Sequence, residues 1–353
     1  MNYQKNLSRN PSLSIGIPTL NEESYIEGIL STFLGTGYDN LIEVLVCDGG
    51  STDRTREIVT RISKNDSRVK LIDNPHQKQV YAFNKMIELA KGELLMIAGA
   101  HAYYEDKYVE KCINLHKTTD ALNVGGPTKL KANSKSQAGI LLAWYSKFGN
   151  GGAKHRNPSY TGYTDTLFPG CYVTAALRQV GGFNIANVTN QDSEINLRIS
   201  ELSDFAHYID SDISVYYYPR DSFSSLAKQY FRYGRGRYLT SIKHFPSIPL
   251  RGYISFIFLW FNITLVTLSL TNLIAKKSLL LYPILISLLF LELFSTYQKY
   301  LKSKNDWYDL HNKPSFLTIV FKATIALGLM HFSMGIGFTF QLLKSIFTMK
   351  TEW

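Results

Sequence analysis

Four places in this chain hold residue types suited to chemistry. The first is Asp192, in Asn190-Gln191-Asp192-Ser193-Glu194-Ile195-Asn196, where helical spacing puts Asp192 and Asn196 on neighbouring faces and turns Glu194 away. A helix start favours negative charge, and transfer of a group to a hydroxyl needs a carboxylate within hydrogen-bond reach to take the hydroxyl proton. The same position also suits a plain helix cap. The second is Asp48, which ends the run Glu43–Cys47 and leads into Gly49-Gly50-Ser51-Thr52-Asp53. Such a turn lets backbone approach a ligand before Asp53 caps the next helix, and a carboxylate there accepts hydrogen bonds from a nucleobase or ribose. A strand ending in Asp-Gly is equally an ordinary turn. The third is His101, closing Gly99-Ala100-His101 after another strand-like run, as a loop histidine able to hydrogen-bond. The fourth is the strongly basic segment that holds Lys228, Arg232, Arg235 and Arg237.

The elements that must position these groups are alternating β and α runs. Strands are expected at 13–18, 42–47, 69–73 and 93–97, with helices starting near Glu22 and Asp53 and spanning about 80–90. Repeated β-α units predict an α/β fold with a mostly parallel sheet covered by helices, and ligands then sit outside the carboxyl ends of the strands. Thr19–Glu22, Asp48–Ser51 and Gly99–His101 all follow strand ends and converge on one crevice. Tyr216–Arg220 reads as a last strand before a basic helix at about 226–237. Glu105-Asp106 reads as capping acid at a helix start, and neither Gly149–Gly152 nor Gly181-Gly182-Phe183 has the strand-loop-helix setting of a dinucleotide fold.

At 353 residues and a net charge of +10, the chain divides by composition. Residues 1–221 read as one mixed-polarity domain, 222–252 as a basic segment and 253–353 as an apolar region with expected spans at 253–275, 278–297 and 323–343. Between Ser222 and Arg251 there is no Asp or Glu, while Lys228, Arg232, Arg235, Arg237, Lys243 and Arg251 gather there. Cations beside apolar runs suit anionic lipid head groups and argue against a nucleic-acid partner. Lysines at 276, 277, 299, 302, 304 and 313 flank the expected spans and place the leading domain inside by the positive-inside rule. Cys47, Cys112 and Cys171 are odd in number and widely spaced, which suggests neither disulfides nor a zinc site, and no apolar leader precedes the first strand. The expected address is a multi-pass protein of the cell's inner membrane with its catalytic domain in the cytoplasm.

Ile15-Gly16-Ile17-Pro18-Thr19-Leu20-Asn21-Glu22-Glu23, Asp48–Asp53, Asn190–Glu194 and Gln229-Tyr230-Phe231-Arg232-Tyr233-Gly234 occur in that order over residues 12–237. Together they resemble glycosyltransferase family 2, in the branch of succinoglycan-type exopolysaccharide enzymes. The resemblance implies a GT-A fold and inverting transfer from an NDP-sugar, UDP-sugar foremost, to a polyprenyl-linked or growing glycan acceptor at the lipid bilayer. It implies that Pro18, Thr19, Asn21, Glu22 and Asp48 hold the nucleoside, that Asp192 is the base, and that Gln229 and Arg232 match a QxxRW motif near the diphosphate and acceptor. Tyr233 stands where that motif has Trp, which counts against processive synthesis, as does the small number of expected spans. Thr166–Tyr172 matches a stretch lining the acceptor side. The family's DxD motif reads Gly99-Ala100-His101, leaving His101 as the residue that could hold Mn²⁺ or Mg²⁺. That departure keeps a second reading open, a catalytically impaired homologue that binds nucleotide or glycan and scaffolds partner enzymes.

Overall fold

The computed structural model describes residues 7–187, 189–245, 250–271, 281–302, 307–309 and 314–348. The chain forms two units, one of residues 1–129 and 157–217 and the other of residues 130–156 and 218–353.

The first unit is built on an eight-stranded sheet. Its leading half consists of β1 (Leu13–Thr19), β2 (Leu41–Asp48), β3 (Val69–Asp73) and β4 (Leu94–Ile97), connected by α1 (Ile26–Leu34), α2 (Thr55–Asn65) and α3 (Gln79–Leu89). These four strands run parallel in the order β3-β2-β1-β4. The chain winds one way from β1 to β3 and then returns to the other side of β1, so the order reverses between β1 and β4. Crevices at such reversals, outside the carboxyl ends of the strands, are where open α/β sheets bind ligands. Leu13, Ile15, Ile17, Val44, Val46, Leu94 and Leu95 are almost wholly buried, as in a sheet covered on both faces.

After β5 (Tyr103–Tyr104) and α4 (Tyr108–Thr118) come β6 (Asn123–Gly125) and β7 (Thr128–Leu130), then α5 (Lys135–Tyr145) and α6 (Lys147–Asn150) of the second unit. The first unit resumes with β8 (Gly162–Thr164), β9 (Gly170–Val173), α7 (Thr174–Gln179), α8 (Gln191–Ser200), β10 (His207–Ile209) and β11 (Val215–Tyr217). Strand β9 pairs antiparallel with β4 and β6, which extends the sheet past the parallel half as β9-β6-β10-β8. The remaining strands form a small sheet in the order β5-β11-β7.

The second unit is helical. It adds α9 (Phe223–Lys243), α10 (Ile254–Thr271), α11 (Leu281–Tyr300) and α12 (Phe316–Thr348) to α5 and α6. Helix α9 is the expected basic helix, longer at both ends, with Ser222 accepting the Ser225 amide as its cap. Among the described residues, α12 is the one helix long and apolar enough to cross a membrane, and Ile254–Leu270 is a shorter apolar helix. Of the three expected spans, 323–343 lies within α12, whereas the junction at 272–280 falls outside the described residues. So do Lys276, Lys277, Lys304 and Lys313 of the expected flanking charges. Helix α11 carries Glu292, whose carboxylate accepts the Lys147 amide at 2.8 Å and the Thr296 hydroxyl at 3.1 Å.

Candidate active site

The carboxyl ends of β1 and β2 are tied by a ladder of hydrogen bonds between the two motifs that follow them. The Asn21 amide donates to Ser51 Oγ at 2.9 Å, the Glu22 amide to Thr55 Oγ1 at 2.8 Å and the Glu23 amide to Asp53 Oδ2 at 3.1 Å. In return Asn21 Oδ1 accepts the Thr52 amide at 2.8 Å and Glu23 Oε2 accepts the Arg54 amide at 2.9 Å. Asn21 makes this possible by adopting a φ of 56°, a left-handed conformation that Asn tolerates better than most residues. The exchange delays α1, which starts at Ile26 rather than near Glu22. Asp53 also accepts the Thr55 amide at 3.0 Å, but the N-cap position of α2 is Arg54, so the expected capping residue stands one place before the cap.

Asp48 is fully buried at the end of β2. Its carboxylate accepts the amides of Gly50 and Ser51, both at 3.1 Å, the Ser51 hydroxyl, and Arg56 Nη1 at 2.8 Å. Burial pushes this carboxyl upward, but those hydrogen bonds outweigh it and hold the group below the ordinary carboxylate range. Arg56 also reaches Asp73 at the end of β3 at 2.8 Å. The three carboxyl ends β1, β2 and β3 are thereby joined. Thr19 is buried beneath the turn, with its carbonyl accepting the Gly49 amide at 2.8 Å, and Pro18 is half-buried beside it.

Across the reversal point, His101 follows β4. Its Nδ1 lies 3.1 Å from Glu22 Oε1, with the imidazole half exposed and the carboxylate largely buried. The turn holding it is fixed by the Gly99 amide, which donates to the Tyr104 hydroxyl at 2.9 Å. Among the described residues, no three His, Cys, Asp or Glu side chains gather as a metal-ligand cluster. The protein thus offers one imidazole and one carboxylate here, a donor set that fits a cation taking most of its ligands from a diphosphate.

Asp192 stands in the first turn of α8, after Asn190 at a φ of 63°. The Gln191 amide group donates to Gln79 Oε1 at 3.1 Å, which sets the start of α8 beside the start of α3. Asp192 is half-buried, and among the described residues its carboxylate has no hydrogen-bond or ion-pair partner, so it is not spent on capping. Glu194 has the opposite fate: it is fully buried and paired with Arg198 Nη2 at 2.6 Å. Asn196, one turn beyond Asp192, donates to Thr166 Oγ1 at 2.9 Å and to the Leu167 carbonyl at 2.7 Å, and its own carbonyl lies 3.0 Å from Nε2 of the buried His207. Helix α8 and the Thr166–Tyr172 stretch are therefore fastened together. Tyr172 within that stretch belongs to the core, and Phe168 packs on Phe83 at 5.8 Å.

Pro18, Thr19, Asn21, Glu22, Asp48 and His101 thus share one end of one sheet, while Gln229 and Arg232 stand on α9 of the second unit. Gln229 donates to the Tyr233 hydroxyl at 2.9 Å, and Arg232 is exposed. Elsewhere, Glu105 pairs with Lys111 at 2.9 Å instead of capping α4, because Lys107 occupies the cap position in a left-handed conformation. Gly181-Gly182-Phe183 is a structural turn clasped by the Asn84 side chain, which accepts the Phe183 amide at 2.7 Å and donates to its carbonyl at 2.8 Å. Sequence reasoning missed three contacts: Arg56 with Asp48, Gln79 with Gln191, and Glu22 with His101. The first runs eight positions from a strand end into α2, and the other two join distant segments, so none carries a local signal.

The sheet order thus reverses between β1 and β4, with a buried carboxylate turn at the end of β2 and an unspent carboxylate at the start of α8. The family model for glycosyl transferase family 2 matches residues 14–171. Succinoglycan biosynthesis protein ExoA of Rhizobium meliloti (strain 1021) is 34% identical over 232 residues, which cover 65% of this chain and 70% of that protein. A Methanococcus voltae enzyme named dolichyl N-acetyl-alpha-D-glucosaminyl phosphate 3-beta-D-2,3-diacetamido-2,3-dideoxy-beta-D-glucuronosyltransferase is 31% identical over 260 residues, covering 71% of this chain and 80% of that protein. The chain belongs to glycosyl transferase family 2 and is a glycosyltransferase. Its fold is GT-A, shared with mannosyltransferase PcManGT of Pyrobaculum calidifontis, solved in complex with GDP-Man and Mn²⁺, at a TM-score of 0.56 and 18% identity over 84% of this chain and 89% of that one.

Proposed function

We propose that this glycosyltransferase is membrane-attached, takes a nucleoside-diphosphate sugar, and transfers the sugar with inversion to a lipid-linked or growing glycan acceptor in surface or exopolysaccharide biosynthesis. The observation that carries the reading is the Asp192 carboxylate, half-buried at a helix start and left without a partner among the described residues. Asp192 takes the proton of the acceptor hydroxyl as its oxygen forms a bond to the anomeric carbon from one face. The bond from that carbon to the diphosphate oxygen breaks on the other face, and the nucleoside diphosphate leaves with the electron pair. Pro18, Thr19, Asn21 and Asp48 shape the nucleoside end of the crevice, with Asp48 acting through the turn it holds. A divalent cation would be held by His101, with Glu22 beside it, and would neutralise charge on the leaving diphosphate. Roles for Gln229 and Arg232 in serving the donor rest on the family resemblance alone, as does UDP as its nucleotide. The name of the Methanococcus voltae relative supports a lipid-phosphate-linked acceptor.

A panel of labelled UDP-, GDP- and dTDP-sugars with membrane lipid extract as acceptor, run with EDTA and with added Mn²⁺ or Mg²⁺, tests this reading. One donor is expected to be consumed, with turnover stimulated by the cation and reduced in His101→Ala. A second reading, binding without transfer, draws on the lack of any carboxylate in Gly99-Ala100-His101. Nucleotide binding with no transfer from any donor would favour it.

A further inference from the structure

Helix α12 is the described helix with the length and hydropathy to cross a bilayer, and its uncharged stretch between Lys322 and Lys344 matches the about 30 Å of a hydrocarbon core. Its surroundings within the helical unit are those of a helix lying along a protein surface. Gly139 of α5 abuts the backbone of Lys322 and Ala323, and Gly149 of α6 sits against Leu327. Further along, Nε2 of His331 lies 2.9 Å from the Phe148 carbonyl and its Nδ1 3.0 Å from Ser255 Oγ. Gly234 of α9 then abuts Met334 and Phe338, Gly337 abuts Phe231, and Arg235 donates to the fully buried Gln341 at 2.9 Å.

One face of α12 is therefore covered from Lys322 to Gln341, over the whole stretch that a crossing would place in hydrocarbon. The covering helices carry charge: Lys147 is exposed on α6, and α9 bears Lys228, Arg232, Arg235 and Arg237. A crossing α12 would draw those cations into the bilayer, where charge is strongly disfavoured. The opposite face exposes Phe321, Phe332, Ile336, Phe340, Leu343 and Phe347. An apolar stripe on a helix packed against the cation-rich α9, with no Asp or Glu from Ser222 to Arg251, matches an anionic lipid surface in both hydrophobicity and charge.

We infer that α12 does not cross the membrane but lies in the plane of one leaflet, its Phe-rich stripe in the acyl region and the α9 cations at the head groups. This deepens the membrane attachment proposed above and rests on it. Both ends of α12 then remain on one side. Cys47, Cys112 and Cys171 are buried, so single Ser315→Cys and Thr348→Cys variants can be probed with a membrane-impermeant maleimide against a quiet background. Sealed vesicles of both orientations from expressing cells provide the two faces. Labelling of both positions from the same face is expected. Labelling from opposite faces would overturn the in-plane arrangement while leaving membrane attachment intact, and protection of either position from both faces would overturn it as well. Recovery of the unaltered chain in the soluble fraction would overturn membrane attachment itself without touching the transferase assignment. As a second measurement on a folded protein, Phe321→Asp with Phe340→Asp is expected to lower binding to vesicles containing phosphatidylglycerol at least tenfold, with the helical circular dichroism kept. Undiminished binding would count against the stripe as the lipid face.

Discussion

The carboxylates of this enzyme divide by what holds them. Asp48 and Glu194 are buried and saturated with partners, and they build structure, whereas Asp192 is half-buried and unspent. Asp192 stands out in the sequence because its motif is third in an ordered series. The buried pairing of Asp48 with Arg56 was not, because a side chain eight positions on reveals nothing about its direction until α2 is placed. Two histidines also define the interior chemically. His116 lies 3.0 Å from the Cys171 carbonyl and His207 the same distance from that of Asn196, and burial pushes both down to about 4. Their folded-state values lie below the unfolded value of about 6.5, so the unfolded chain binds the extra protons between those limits. Stability is then complete above about pH 6.5 and falls as pH drops towards 4, by about 1.4 kcal/mol per histidine at pH 5.5. Urea unfolding at pH 7.5 and 5.5 should show that loss, and His207→Gln should flatten the slope. Equal midpoints at the two pH values would show that these imidazoles are not buried in the neutral form.

At the scale of elements, the strands β1 to β4 follow from apolar runs between turn residues and lie within about a residue of their expected bounds. The late start of α1 was hidden because the residues that look like its first turn are occupied in the ladder with Ser51–Thr55. The excursion of Leu130–Arg156 into the helical unit carries no compositional mark, since α5 is an ordinary apolar helix by sequence. Helix α12 begins at Phe316, before Lys322, whereas the expected span began at 323; the Lys322 ammonium lies over the Phe223 ring at 5.4 Å. The meeting of α9 with α12 depends on glycines that let the helix backbones touch: a Cβ at Gly337 would overlap the backbone of Phe231, whereas one at Gly328 on the same helix meets nothing within 4 Å. Gly337→Ala should therefore cost about 1–3 kcal/mol through overpacking, and Gly328→Ala should gain up to about 1 kcal/mol from helix propensity. Thermal melts of both variants in lipid micelles check this, and equal melting temperatures would contradict the close crossing.

For the molecule as a whole, the composition break near residue 222 and the four motifs in register carried the family and the fold. What composition did not carry is how the apolar third is used, because an uncharged stretch of spanning length reads alike whether lipid surrounds it or a basic helix covers one side. The metal question has the same character: Gly99-Ala100-His101 shows the lost carboxylates, but only the folded chain brings Glu22 to His101 across the β1–β4 reversal. The central claim remains that Asp192 takes the acceptor proton during inverting transfer. Steady-state turnover of Asp192→Asn, purified with its melting temperature and nucleotide binding intact and assayed with the preferred donor, tests it most directly. A base at Asp192 requires kcat to fall by about 10²–10⁴-fold with the donor KM little changed. Turnover equal to that of the unaltered enzyme would contradict it.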